Sequence, residues 1–255
     1  MCTVLLALGT ANDAPVVVAT NRDEFYGRAT SEPAALHDEP RIVGGRDVLT
    51  RGTWLALSAD GRLATVTNRR SGTPDPTKRS RGELPVKLLL ETERGTAPGA
   101  WIAALNPSSY NPFNILYVSP DDAVVGHATG SGDMAVRELG PGTHVLTLCD
   151  VDQPGDAKVD FLAHALAKAS ARASDADSLL AAMEELLTEH GDDHRADLDA
   201  ACVHGAGYGT VSSSSVIVWN TGDVLYRHAS GPPCQTPRAD LSPLLGRAEP
   251  VAERR

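Results

Sequence analysis

Short strand-forming runs joined by tight reversals alternate with helical blocks along this chain, and that order constrains the fold more than any single motif. Residues 3–8 and 15–19 are apolar or β-branched runs around Gly9-Thr10-Ala11-Asn12-Asp13-Ala14, a hairpin pattern. Residues 54–58 and 63–67 flank Ala59-Asp60-Gly61-Arg62, whose Asp-Gly step supplies the positive φ values a tight reversal demands. Strands are predicted again over 114–118 and 123–127, turned by Pro120-Asp121-Asp122, and over 144–148. A last hairpin, 213–219 with 224–228, brackets Asn220-Thr221-Gly222-Asp223. Between these blocks lie helices. Ser80 and Glu83 stand in capping-box spacing before a helix over 82–92, and a second is predicted over 98–105. Residues 156–172 are Ala-rich, and 175–190 carry Leu179, Leu180, Met183, Leu186 and Leu187 on one face, with Ser174 as N-cap and Gly191 beyond the end.

Strands, two helices, strands, two helices, strands is a pattern in which helices cover both outer faces of two stacked antiparallel sheets. The expected class is α+β, a four-layer αββα sandwich. Residues 1–255 read as one domain with an irregular tail from about 232; a division into two α+β halves near 106–112 is the rival. The 255 residues suffice to bury roughly 70–75% of the unfolded chain's surface. Twenty-three Lys and Arg against 33 Asp and Glu give a net charge of −10, which disfavours nucleic acid as a partner. No apolar run approaches the roughly 20 residues of a membrane helix, and Met1-Cys2-Thr3 lacks the basic start of a secretory signal, so a cytoplasmic protein without a membrane span is expected. The four cysteines, at 2, 149, 202 and 234, have neither disulfide-scaffold density nor C-x-x-C pairing.

Pairing Leu8 with Pro15 across the first turn keeps index sums at 23, which sets Thr3 opposite Thr20 and Cys2 opposite Asn21. In the second hairpin a sum of 121 brings Asn68 level with Thr53. If Met1 is trimmed, Cys2 carries both a free α-amine, pKa about 7.7–8.0, and a thiol, pKa about 8.5. A nucleophile and a general base would then share one residue. Attack on an amide carbonyl also needs oxyanion donors, for which Asn68 and Asn21 are suitable, and Asp23 could orient the α-amine. Plainer readings stand beside these. Arg22, Asp23 and Glu24 could form a structural ion-pair network; Asn68 could satisfy a strand end; Gly52-Thr53 could be only a turn; Phe25 and Tyr26 could be packing residues. His190 and His194 have the i, i+4 separation of a metal pair, but Gly191 breaks the helix that spacing needs, so no metal site is expected there. Cys149, Cys202 and Cys234 read as buried or incidental.

Met1-Cys2-Thr3, Asn21-Arg22-Asp23-Glu24-Phe25-Tyr26-Gly27-Arg28, Gly44-Gly45-Arg46-Asp47 and Gly52-Thr53-Trp54-Leu55 together resemble the NRDE family, also called the transport and Golgi organisation protein 2 family. Thr67-Asn68, Ser80-Arg81-Gly82-Glu83-Leu84, Asn111-Pro112-Phe113-Asn114-Ile115-Leu116-Tyr117 and Tyr208-Gly209-Thr210 follow in the family's order, so the likeness spans roughly residues 1 to 228. The family is similar in turn to N-terminal-nucleophile hydrolases of the choloylglycine-hydrolase and penicillin-acylase type. That resemblance implies the αββα fold, Cys2 as nucleophile, an Asn-x-Asp segment at Asn21 and Asp23, an oxyanion asparagine at Asn68, and a cleft near Phe25 and Tyr26. Two positions depart from it. Thr20 stands where those hydrolases place an arginine, with Arg22 inside the motif instead, and Val211 stands where many NRDE members have an arginine.

The leading expectation is an amide (non-peptide C–N) hydrolase or related acyltransferase acting on a small-molecule amide or acyl substrate. Cys2, Asp23, Asn68 and Asn21 would be catalytic, Arg22, Thr53, Phe25 and Tyr26 would contact substrate, and no metal or organic cofactor is required. The alternative is a non-catalytic carrier of haem or an acyl thioester or lipid on the same scaffold; an interaction scaffold using the tail after Pro232 is a third.

Overall fold

Alternation along the first strand sorts its side chains into two cores. In the computed structural model, which describes residues 2–70, 73–130, 132–190 and 200–246, β1 (Cys2–Ala11) sends Val4, Leu6 and Leu8 to one side and Leu5 and Ala7 to the other. The chain continues through β2 (Ala14–Phe25), β3 (Thr30–His37), β4 (Ile42–Asp47), β5 (Leu55–Ser58) and β6 (Leu63–Asn68). Helices α1 (Leu84–Glu93) and α2 (Pro98–Ala103) follow, then β7 (Phe113–Val118), β8 (Ala123–Ala128), β9 (Met134–Glu138) and β10 (Gly142–Leu146). The last elements are α3 (Ala157–Ser170), α4 (Ala176–Leu186), β11 (Tyr208–Val218), β12 (Val224–Ala229) and the short β13 (Ala239–Asp240).

The strands form two antiparallel sheets, one ordered β10-β1-β2-β11-β12-β13 and the other β3-β4-β5-β6-β7-β8-β9. Leu6, Val18, Leu57, Leu116 and Val216 meet between the sheets. Leu5 and Val17 pack with Leu162 of α3 and Leu180 of α4 outside the first sheet, while Ile115 and Ala64 pack with Leu88 of α1 and Ile102 of α2 outside the second. The layers are therefore αββα, as the alternation of elements predicts.

Several details differ from the sequence reading. Strands β3, β4 and β9 were not expected, because Ser31-Glu32-Pro33 and Gly44-Gly45 interrupt the β-branched pattern and β9 is largely exposed. The cap of α4 is Asp175, not Ser174: Asp175 accepts from the Ser178 N–H while the Ser178 hydroxyl accepts from the Asp175 N–H. Gly191, expected just past that helix, lies outside the described residues. The tail is only partly irregular, since it adds β13 to a sheet edge and buries Leu245 between the sheets.

The registers differ by one residue from the expected ones. Cys2 pairs with Arg22 and Leu8 with Val16, a sum of 24, because the pairing shifts between Leu8 and Ala11, where Gly9 adopts φ +59°. In the β5–β6 hairpin Leu57 pairs with Leu63, a sum of 120. Near that hairpin the backbones of Gly52 and Gly82 touch: a Cβ on Gly52 would fall 2.6 Å from the Gly82 carbonyl carbon. The Thr53 N–H donates to the Gly82 carbonyl at 2.8 Å, fastening the loop after β4 to the start of the helical segment.

Two buried histidines couple this packing to pH. The His127 ring on β8 bonds the Asn114 Oδ1 at 2.8 Å, and His228 on β12 bonds the Ser214 hydroxyl at 2.9 Å. Burial pushes both imidazoles down to about 4. The unfolded rings take up protons near pH 6.5, so the stability present above that pH is lost as pH falls from about 6.5 to about 4, by up to about 1.4 kcal/mol per pH unit for each ring. The urea midpoint should fall steeply across this window, and His228→Gln should flatten part of the slope; a midpoint constant from pH 7 to 4.5 would contradict this coupling.

Candidate active site

Antiparallel pairing places Cys2 and Arg22 directly opposite one another, so their side chains share a face of the first sheet. That face opens at the strand ends into a cavity of about 540 Å³. Its walls include Cys2, Arg22 and Asp23 from the first sheet, Asn68 and Trp54 from the second, and Arg81 from the turn before α1. The Cys2 thiol is half-buried, and burial pushes its pKa up, opposed by the Arg22 guanidinium and by the Asp23 backbone N–H. A raised thiol pKa means the sulfur is protonated at neutral pH, so any attack by it requires a base.

Asp23 is almost wholly buried, 1% exposed. Burial pushes its carboxyl up, while the Lys158 ammonium and the Thr210 hydroxyl hold it down. Thr210 donates to Asp23 Oδ1 at 2.6 Å, and the Tyr208 hydroxyl donates to the Asp23 carbonyl at 3.0 Å. The strand that delivers Thr210 is bulged, since Thr210 pairs with Asp23 but Ser212 pairs with Arg22, leaving Val211 as the extra residue.

Arg22 lies 4.2 Å over the Trp54 ring, with Glu24 at 3.7 Å and Asp47 at 3.9 Å. Its Nη1 is buried without a hydrogen-bond partner among the described residues. Arg28 takes the shorter bond to Asp47, 2.5 Å. Burial alone would raise the Asp47 carboxyl, but its bonds from Arg28 and Thr50 outweigh this and hold it below the usual carboxylate range. Arg81 is anchored by a 3.0 Å bond to the Pro112 carbonyl, and burial lowers its pKa against the opposing field of the Cys2 sulfur and Glu24.

Of the residues singled out by sequence, Cys2, Asp23, Asn68, Arg22, Thr53 and Phe25 line one cavity. Thr53 contributes wall rather than a free hydroxyl, since its Oγ1 donates to the Leu55 carbonyl at 2.6 Å. Phe25 is 64% exposed and packs edge-on against Tyr208. Asn21 and Tyr26 lie elsewhere. The one-residue register shift turns Asn21 to the helical face, where its amide donates to the carbonyls of Leu187 at 2.8 Å and Ala201 at 2.9 Å. Those bonds leave it no oxyanion to serve, a correction to the expected role. Tyr26 instead covers Gly209, where an added Cβ would fall 2.3 Å from the tyrosine oxygen. Arg69, next to Asn68 in the chain, is turned inward, bonding Asn114 Oδ1 at 2.7 Å and Asp150 at 2.6 Å.

Sequence reasoning missed Lys158, Arg81 and Thr210 as site residues. Lys158 had a signal: it occupies the helical face of Leu162 and Leu166 at four-residue spacing, and a buried lysine on an apolar stripe calls for an anionic neighbour.

The sequence profile described as Transport and Golgi organisation 2 matches residues 1–228. The chain belongs to this family. The human Transport and Golgi organization protein 2 homolog is 27% identical over 239 residues, covering 84% of this chain and 86% of the human protein. The mouse homolog is 28% identical over 244 residues, with the same two coverages. Among solved structures, the Caenorhabditis elegans ortholog of N-acylethanolamine-hydrolyzing acid amidase aligns with a TM-score of 0.55 at 15% identity, covering 85% of this chain and 92% of that one. A variant of conjugated bile acid hydrolase from Clostridium perfringens aligns with a TM-score of 0.51 at 11% identity, covering 97% and 95%. This member of the Transport and Golgi organisation 2 family therefore shares the layered sandwich fold of these two solved structures.

The two asparagines of this family member separate by experiment. Asn21→Ala strands two buried carbonyls and should cost about 1–3 kcal/mol in urea unfolding, with the Cys2 alkylation rate of the folded protein unchanged. A stability equal to wild type would show that the two bonds do not hold the strand to Leu187 and Ala201.

Proposed function

We propose that this protein is an N-terminal-nucleophile amide hydrolase, or an acyltransferase of the same chemistry, in which Cys2 attacks a small-molecule amide once Met1 has been removed. The observation that carries the reading is the placement of the Cys2 thiol, the Asp23 carboxylate and the Asn68 amide around one solvent-accessible cavity. About 540 Å³ is the size of a small-molecule site.

In this mechanism the α-amine of Cys2 takes the thiol proton as the Sγ–C bond forms, which answers the raised thiol pKa. Asp23, held by Thr210, positions that amine. Asn68, at the end of β6, donates to the developing oxyanion. The α-ammonium then returns its proton to the leaving nitrogen as the C–N bond breaks, leaving a thioester on Cys2. Water attacks the thioester and releases a carboxylic acid and the free thiol; an amine acceptor in place of water gives transfer. Arg22 and Arg81 supply positive charge beside the sulfur, suited to a substrate with an anionic group near the scissile bond.

Intact-mass measurement after treatment with an acylating electrophile tests the reading. The purified protein should lack Met1 and take one adduct, lost in Cys2→Ala. Asn68→Ala should slow acylation about 10²–10³-fold, the usual cost of one oxyanion donor. A retained Met1 together with an unlabelled Cys2 would overturn the proposal.

A further inference from the structure

Far from Cys2 in sequence and outside the cavity walls, four soft or borderline ligands converge. His190 follows α4, Cys202 and His204 precede β11, and Cys234 lies in the turn after β12. Their ligand atoms all fall within 4.8 Å of one another. The Cys202 and Cys234 sulfurs are 3.6 Å apart, and the His204 Nε2 stands 3.5 Å from the first and 3.2 Å from the second. The His190 and His204 rings approach to 4.9 Å between centroids.

The three distances among Cys202, His204 and Cys234 are those of one face of a tetrahedron, with His190 as the fourth group beside it. With Zn–S near 2.3 Å and Zn–N near 2.05 Å, tetrahedral angles set S···S at about 3.8 Å and S···N at about 3.6 Å. The three separations among Cys202, His204 and Cys234 lie within about 0.4 Å of those edges, the two sulfurs are too far apart for a disulfide, and the His190 ligand atom lies within 4.8 Å of the other three. We propose that His190, Cys202, His204 and Cys234 form a structural zinc site of Cys₂His₂ type. Two thiolates and two imidazoles around a tetrahedral centre suit zinc over the hard cations that prefer oxygen. Binding displaces one proton from each thiol, and the two thiolate charges balance the dication.

The backbone around the ligands shows what such an ion does. The Cys202 N–H donates to the Glu189 carbonyl at 2.8 Å, which draws Cys202 to the residue before His190. His204 bridges to Gly209, closing a tight reversal into β11. The Gln235 and Thr236 N–H groups both donate to the Pro232 carbonyl, forming the turn that presents Cys234. Three segments otherwise joined by few regular backbone bonds are thus stapled at one point. One of them continues to the cavity. Cys202 and His204 flank Val203, whose N–H donates to the Thr210 hydroxyl at 2.8 Å and whose carbonyl accepts the Thr210 N–H at 2.8 Å. Thr210 in turn donates to Asp23. The staple therefore also braces the residue that holds Asp23. The site is independent of whether Cys2 is catalytic. It combines residues that sequence reading set aside singly, because the ligands lack C-x-x-C spacing and the partner assigned to His190 was His194, which lies outside the described residues.

The test uses full-length, untagged protein purified without chelator under reducing conditions. Elemental analysis should find about one zinc per chain, and Cys202→Ser and Cys234→Ser should each lose most of it while Cys149→Ser keeps it. Cobalt exchanged into the wild-type protein should give the intense visible bands of a tetrahedral ion and a sulfur-to-cobalt charge-transfer band, a readout that does not depend on the variants folding. Removal of the ion by a chelator should lower the thermal midpoint. Absence of stoichiometric zinc with no uptake of zinc or cobalt, iron in its place, or a cobalt spectrum without thiolate charge transfer would each overturn the assignment.

Discussion

The register between β1 and β2 is the constraint on which the candidate site rests. Side chains alternate with a period of two, so a one-residue slip would exchange every inward and outward position on β1. The shift near Gly9 pairs Cys2 with Arg22 and directs the thiol toward the space between the sheets, where Val4 and Leu6 continue the same face into the core. The opposite face of the same strands carries Leu5, Val17 and Ala19 under the helices. Burial of these two apolar sets locks the register far more firmly than any polar contact at the strand ends could, at about 1.5–3 kcal/mol for each large side chain buried. The end of the sheet that lines the cavity is thus positioned by the hydrophobic core beneath it.

Electrostatics at that end follow from burial. Asp23 sits where solvent cannot stabilise its charge, and its compensation comes from Lys158, which α3 carries on its buried stripe, and from Thr210 on the bulged part of β11. Burial outweighs that compensation and leaves the Asp23 carboxyl above the usual carboxylate range. The bulge matters here: it restores the pairing of Ser212 with Arg22 while turning Thr210 toward Asp23. Val211, where the family resemblance implies an arginine, is the residue displaced by that bulge. The cation supplied elsewhere on the strand pair is Arg22.

The layers and the hairpins were legible in sequence because their signals are local. Asp60-Gly61 and Asn220-Thr221-Gly222-Asp223 mark reversals, and the strands beside them are apolar or β-branched on buried faces. Strands β3 and β4 were illegible because Pro33, Gly44 and Gly45 speak against strand structure, yet Gly44 and Gly45 are demanded by packing: a Cβ on Gly44 would fall 2.2 Å from the Leu55 carbonyl oxygen, and one on Gly45 would strike the Trp54 ring. The register error had a different cause. Turn residues announce a reversal but do not state whether a bulge accompanies it, so the reading set Asn21 opposite Cys2, the place that Arg22 takes in the structure. Lys158 and Thr210 lie far along the chain from Asp23, and Cys234 lies far from Cys202 and His204, separations that no spacing rule reaches across.

The departure at Thr20 is best understood through the same alternation. Residues 20 and 22 of one strand point to the same face, two residues and roughly 6.6 Å apart along the strand. An arginine moved from the first position to the second therefore still faces the space beside Cys2, but nearer the strand end. Trp54 provides a platform for it, and Glu24 and Asp47 approach no closer than 3.7 Å, which neutralises its charge without using its Nη1 donor. A guanidinium held flat against an indole, with one buried donor uncommitted, has lost its rotational freedom before any ligand arrives. Thr20, on the same face and nearly buried, is left to pack where the longer side chain would otherwise have stood. Arg22 therefore brings a cation to the cavity wall from the strand face that it shares with Thr20, nearer the strand end.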